Sequence, residues 1–322
     1  RSLSSVSSPP SRRRSPLKKM HLGGPLSVGF SFAPSGLCFP YSLGAASVLV
    51  ERGAVTPETP LAGSSGGALV AAVAALDLLE ESLEAALRVN AYCRERGTAR
   101  FQLRDALVPE LDGLLGDDVV ERLNGREAKV GVGILRFRPF PRGDVVTDFR
   151  DLDDLKAALL ATSCIPLYFS RSPVAVFRGW PAVDGFFGSP REYFGAPNAP
   201  NATVTVRIAP FSADRVRLEG LAISPPDTSQ TWADDDSDEA ATPGNPGTKA
   251  NQDPQLSDLL KCALGLPPVD DDFLLALFDR GKRDADDWLD AGGLQQAIDT
   301  ASELAKITAN DDQDDADRLI VL

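Results

Sequence analysis

The chain has 322 residues, 43% of them hydrophobic, enough for a real core in one large domain or two modest ones. A formal net charge of −13 excludes a nucleic-acid partner, because phosphate binding needs clustered Lys and Arg. Four scattered cysteines without a C-x-x-C pair, and the single histidine His21, argue against both a zinc site and a disulfide framework.

The first twenty residues, RSLSSVSSPPSRRRSPLKKM, hold Arg, Lys, Ser and Pro and no acid. Residues 1–24 are therefore expected to form a disordered basic arm, with a composition that suits an organelle transit peptide and equally a solvated tail beside His21. Leu22 to Val50 carries no charge, but Pro25, Pro34, Pro40 and five glycines interrupt it, against a membrane span. PLSVGFSFA (25–33) reads as a short buried strand closed by Pro34-Ser35-Gly36, and YSLGAASVLVE (41–51) as a buried helix. PLAG (60–63) is a second strand, Gly63-Ser64-Ser65-Gly66-Gly67 a tight turn, and Ala68 to Leu76 a helix. This order predicts an α/β fold with a mostly parallel sheet.

Residues 77–124 read as helical with breaks near Gly97 and Pro109, and AKVGVGILRF (128–137) as a strand. LDDLKAALLATSCIPLYF (152–169) predicts a helix stopped by Pro166, and ATVTVRIAPF (202–211) alternates as a strand. From Ser224 the chain turns to Pro, Asp, Thr, Ser and Gly, so 224–255 is expected to be a disordered acidic insertion. DDDFLLALFDRGKRDADDWL (270–289) predicts a helix, one of several over 256–308 packed on a core at 25–223; 309–322 reads as a solvated acidic tail.

The turn contains G-x-S-x-G centred on Ser65, between a strand and an apolar helix. Two readings stand. In a nucleophile elbow the glycines make room for a strained serine, and the helix aims its N-terminal N–H groups, Gly66 among them, at a developing oxyanion. In the other, the stretch is a Gly/Ser turn capping a buried helix. A phosphate loop is poorer, since no Lys-Ser/Thr pair follows Gly67. With His21 as the only histidine, a Ser-His-Asp triad is not expected, and a serine nucleophile would need a carboxylate or lysine as base. Asp184-Gly185, after the short apolar segment WPAVD, is a candidate that is otherwise simply a turn. Phe169, Trp180, Phe186 and Phe187 flank it; core packing is expected of each singly, with an acyl groove or a lipid surface as the alternative. Cys38 and Cys164 read as ordinary buried cysteines.

SFAPSGLCFPYSLG (31–44), GSSGG (63–67), ATSCIPLYF (161–169), VDGFF (183–187) and VTVRIAPFSADRV (204–216) occur in the order and spacing of patatin-like phospholipases. LFDRGKRDADDWL (277–289) also resembles the closing helix of the animal-type branch, which includes adipose triglyceride lipase and adiponutrin; the resemblance spans roughly 25–290. It implies a three-layer α/β/α fold and a Ser-Asp dyad of Ser65 and Asp184 that hydrolyses fatty acyl esters of glycerolipids without cofactor or metal. It also implies Gly63, Gly67 and Gly185 as motif glycines, and an oxyanion loop of three glycines where this chain has Pro34-Ser35-Gly36. Pro34 has no N–H to give, which leaves Ser35, Gly36 and Gly66 as the implied donors. The implied partners are a lipid substrate and the surface of a membrane or lipid droplet, inside the cell or, given the basic arm, in a plastid or mitochondrion. Two alternatives accompany this reading: a catalytically silent lipid-binding or regulatory protein, motivated by Pro34, and a transacylase using the same acyl-enzyme.

Overall fold

A computed structural model describes residues 27–226 and 256–320. The arm at 1–24, His21 and nearly all of the acidic insertion at 224–255 lie outside the described residues. In chain order the elements are β1 (Val28–Phe32), α1 (Phe39–Glu51), β2 (Leu61–Ser64), α2 (Gly66–Leu76), α3 (Leu79–Glu95), α4 (Leu103–Leu114) and α5 (Val119–Asn124). There follow β3 (Val130–Phe137), β4 (Pro141–Val146), α6 (Leu152–Thr162), β5 (Ala175–Phe177), β6 (Trp180–Asp184), β7 (Val204–Ile208), α7 (Ala213–Val216) and β8 (Ala222–Ile223). The C-terminal helices are α8 (Leu256–Leu264), α9 (Asp271–Asp290) and α10 (Gly293–Ile320).

The strands form one sheet in the order β5-β6-β3-β2-β1-β7-β8, with β4 on the other side of β3. β3, β2, β1, β7 and β8 run parallel, while β4, β5 and β6 pair antiparallel. Helices flank this mixed, mostly parallel sheet, in keeping with the three-layer α/β/α fold expected.

The sheet's two faces differ. Register sets Phe30, Leu61 and Val130 in one row and Ser31, Ala62 and Gly131 in the next, so large apolar side chains share one face and small ones the other. Phe30 on the first meets Trp288 of α9 edge to face. Against the second, Ala199 and Ala202 lie so close that a Cβ at Gly29 would come 2.5 Å from Ala199 Cβ. α1 is buried along its length, and α9 meets it with almost no gap: a Cβ at Gly281 would lie 1.9 Å from the Tyr41 carbonyl oxygen.

Several elements differ from expectation for identifiable reasons. α2 begins at Gly66, two residues early, because the Ser65 carbonyl already accepts the Ala68 and Leu69 N–H groups. Pro109 lies inside α4 instead of breaking it; Pro109 and Asp105 are exposed, so the carbonyl the proline leaves without a donor is on the solvent side of the helix. α6 stops at Thr162, well before Pro166, because a residue ahead of proline is driven out of helical backbone and the chain turns through Leu167 at φ 54°. β4 and β5 were unforeseen: PRGDVV lacks apolar alternation, and AVF is too short to signal a strand. α10 continues as helix through 309–320, where an acidic tail was expected. No helix of the described residues is long and apolar enough to cross a membrane.

Candidate active site

β2 ends at Ser64 and α2 starts at Gly66, leaving Ser65 alone at the joint. Its backbone sits at φ 54°, ψ −134°, a region a residue with a Cβ rarely adopts, and such strain persists only where the surroundings enforce it. Ser65 N–H donates to Thr162 Oγ1 (2.8 Å), and the Thr162 hydroxyl donates to the Gly133 carbonyl (2.5 Å), so the turn is tied to α6 and β3. The motif glycines make the turn sterically feasible. A Cβ at Gly67 would lie 2.1 Å from the Phe32 carbonyl oxygen, and one at Gly63 would lie 2.3 Å from that of Gly67.

The loop after β1 lies against the same turn, since a Cβ at Gly66 would fall 2.6 Å from Ser35 Oγ and 3.3 Å from the Gly36 carbonyl oxygen. The first turn of α2 has N–H groups without intrahelical acceptors. Gly36 stands at φ 52° with its Cα against α8, where a Cβ would meet the Ala263 carbonyl oxygen at 2.1 Å. Only glycine fits there.

β3 brings the carboxylate in. Successive residues of β3 pair with the two partners: Gly133 opposite Ser64, Ile134 opposite Asp184. Gly185 lets the strand end nest there, because a Cβ would lie 2.2 Å from the Gly133 carbonyl oxygen and 2.6 Å from Ser64 Oγ. Asp184 is 1% exposed. Its N–H donates to the Cys164 carbonyl (2.9 Å), and its Oδ1 accepts the Phe186 N–H (2.8 Å). Burial raises its carboxyl to about 7, while the Phe186 N–H and the Ser65 hydroxyl pull it back down. The Ser65 hydroxyl therefore stands beside the carboxylate, without closing a hydrogen bond of ordinary length and angle.

In front of Ser65 lies an apolar pocket walled by Leu69, Leu103, Leu107, Ile165 and Phe169, with Gly36 and Gly66 at its polar end. Ser35 is not on this wall; its hydroxyl is buried without a partner. Cys38 and Cys164 are buried thiols, the first pushed well up and the second to about 11, both chiefly by burial. Phe169 is buried, but Trp180, Phe186 and Phe187 are exposed at 36%, 41% and 52%, so the core packing expected of them does not hold. The antiparallel pairing of β5 and β6 ends at Trp180, and the short turn after Asp184 leaves Phe186 and Phe187 outside the sheet.

Sequence reasoning missed Thr162, the α4 leucines of the pocket and Ala263 of α8. A threonine at the end of a helix carries no distinctive signal. The α4 and α8 contacts come from residues distant in the chain.

A strained serine between strand and helix, beside a buried Asp-Gly, has the backbone form of a nucleophile elbow on an α/β sheet. The patatin-like phospholipase family model matches residues 36–192, which include both Ser65 and Asp184. The chain thus carries a patatin-like domain, from a family of lipid acyl hydrolases. Compared with curated proteins, the chain gives no match.

Proposed function

We propose that the protein is a serine acyl hydrolase of glycerolipid esters, with Ser65 as nucleophile and Asp184 as base. The observation that carries this reading is a serine in a strained strand-to-helix turn beside a buried carboxyl raised to about 7. An ordinary aspartate, at about 3.9, is a weak base at neutral pH, and burial brings this one into working range.

In the proposed reaction the Asp184 carboxylate takes the Ser65 proton as Oγ bonds to the acyl carbon and the carbonyl pair moves onto oxygen. The N–H groups of Gly36 and Gly66, two residues that line the pocket, are the oxyanion donors in this reading, with the Ser35 N–H beside them. Asp184 returns the proton to the leaving alkoxide. Water, deprotonated by Asp184, then bonds to the acyl carbon, and Asp184 passes that proton to the departing Ser65 Oγ as the fatty acid is released; the acyl chain occupies the pocket between α4 and the Ile165–Phe169 turn. The finer assignment to the animal-type branch rests on the resemblance of LFDRGKRDADDWL, a stretch of α9.

Pro34, which offers no N–H, favours a second reading, a silent lipid-binding protein on the same scaffold. The test is fatty-acid release from mixed glycerolipids by the full chain, with Ser65→Ala and Asp184→Asn, with and without an acceptor alcohol. Release lost in both variants is the expected result, and ester formed with the alcohol would indicate a transacylase. No release by the folded wild-type chain would favour the silent reading.

A further inference from the structure

Among the described residues, exposed large apolar side chains fall into two groups, one within 140–187 and one within 260–307. Strand register places part of the first group. β2 stops at Ser64, opposite Gly133, but β3 continues to Phe137, opposite Pro141 of β4. At about 3.3 Å per residue, the β3–β4 hairpin therefore rises roughly 13 Å past the level of Ser64, on the sheet edge where Ser65 lies. β6 pairs beside it with Ala182 opposite Arg136, so the β5–β6 turn reaches the same height.

These two turns form a prow. Phe140 at the β3–β4 tip is 78% exposed and Val176 on β5 67%. The Arg138 guanidinium lies 5.4 Å over the Trp180 ring and makes no ion pair among the described residues. Arg136 and Arg142 share a single carboxylate, Asp144. On a chain of net charge −13, the two turns carry four guanidinium groups, Arg136, Arg138, Arg142 and Arg178, against Asp144 and the Asp154 of α6 that pairs with Arg178. The second exposed group, on the C-terminal helices, has no such excess: Leu275 and Leu304 stand among Asp271, Asp272 and Glu303.

We infer that the β3–β4 and β5–β6 turns dock the protein on an anionic lipid surface, with Phe140, Val176 and Trp180 entering the interface and Arg138 and Arg142 meeting its phosphates. The shape fits a bilayer better than a groove-bound partner, since the apolar side chains stand on projecting turns. Aromatic rings with a polar edge and arginines beside them are the groups that settle at a membrane–water boundary. The inference deepens the hydrolase reading and rests on it for the purpose of docking: a chain seated on this prow holds the Ser65 pocket close to the lipid.

The test is sedimentation of the full chain with phosphatidylcholine vesicles, with and without phosphatidylglycerol, at low and high salt. Arg138→Gln with Arg142→Gln should weaken binding to the anionic vesicles about 25-fold, the factor expected from about 1 kcal/mol per basic residue. Phe140→Ser with Val176→Ser should weaken it at either salt concentration. Leu275→Ser with Ile307→Ser, on the other exposed group, should leave it unchanged. All three variants should hydrolyse a soluble short-chain ester as the wild type does. Wild-type affinity in both prow variants would overturn the inference; so would wild-type binding no stronger to anionic than to neutral vesicles. A wild type inert on the soluble ester would sink the hydrolase reading alone, because vesicle binding is measured separately.

Discussion

β1, β2 and β7 are buried at every residue, whereas β4 and β5 expose Pro141, Arg142 and Val176 to water. The first set is parallel and has no freedom of register, because a shift by one residue would drive Phe30 and Phe32 into the close-packed second face. The antiparallel set extends past the end of β2 with more of its residues in water, and is tied by ion pairs such as Arg136–Asp144. Ser65 belongs to the rigid half and Asp184 to the other, and β3, which pairs with both, makes them neighbours. The contrast suggests a division of labour: the parallel strands enforce the strain at Ser65, and the antiparallel strands bring the carboxylate and reach outward.

The comparison can be broken most severely at Ser65. Ser65→Ala should reduce ester hydrolysis on the order of 10⁴-fold or more while leaving the fold intact, as rate assays and circular dichroism will establish. Asp184→Asn should cost about 10²- to 10⁴-fold in turnover and shift stability in the opposite direction. The folded carboxyl titrates near 7 and the unfolded one near 3.9, so the native state holds the extra proton between these values and loses stability as pH rises through them. Asparagine stays neutral throughout. The variant should therefore be more stable than wild type at pH 8, by on the order of 1–4 kcal/mol, with the gain vanishing below about pH 4 in denaturant melts.

Smaller effects sharpen the contrast between the halves. Gly67→Ala forces a Cβ against the Phe32 carbonyl in the rigid half and should cost about 3 kcal/mol or more. Thr162→Val leaves the Ser65 N–H without its acceptor, at about 1–3 kcal/mol, and should lower turnover more than substrate affinity, because the turn loses its tether. Asp144→Asn, in the antiparallel half, removes the partly buried charge that Arg136 and Arg142 share and should cost about 1–2 kcal/mol. Thermal melts that ranked Asp144→Asn above Gly67→Ala would reverse the comparison.

The rigid half was the legible one. VGFSF, LAGS and VTVRI are buried on both faces and read as strands without help, and the glycines around Ser65 marked a turn that needs close backbone approach. Asp184 was found through its Asp-Gly pair, but its neighbourhood to Ser65 depends on β3 register, which no local pattern encodes. The hairpin tip was opaque because RFRPFPRGD mixes proline and charge as a loop would, and its pairing comes from β3 continuing past β2. Thr162 and Ala263 reach the site from elements far away in sequence. Their roles follow from packing alone.

The most direct test of the account is the rate at which a fluorophosphonate labels Ser65 in the full chain, followed from pH 5 to 9 with Ser65→Ala and Asp184→Asn alongside. If the buried carboxylate activates the serine, labelling should rise with pH through an ionisation near 7 in the wild type, vanish in Ser65→Ala, and become slow and flat in Asp184→Asn. Labelling at another serine, or a wild-type profile that Asp184→Asn leaves unchanged, would contradict the pairing of Ser65 with Asp184.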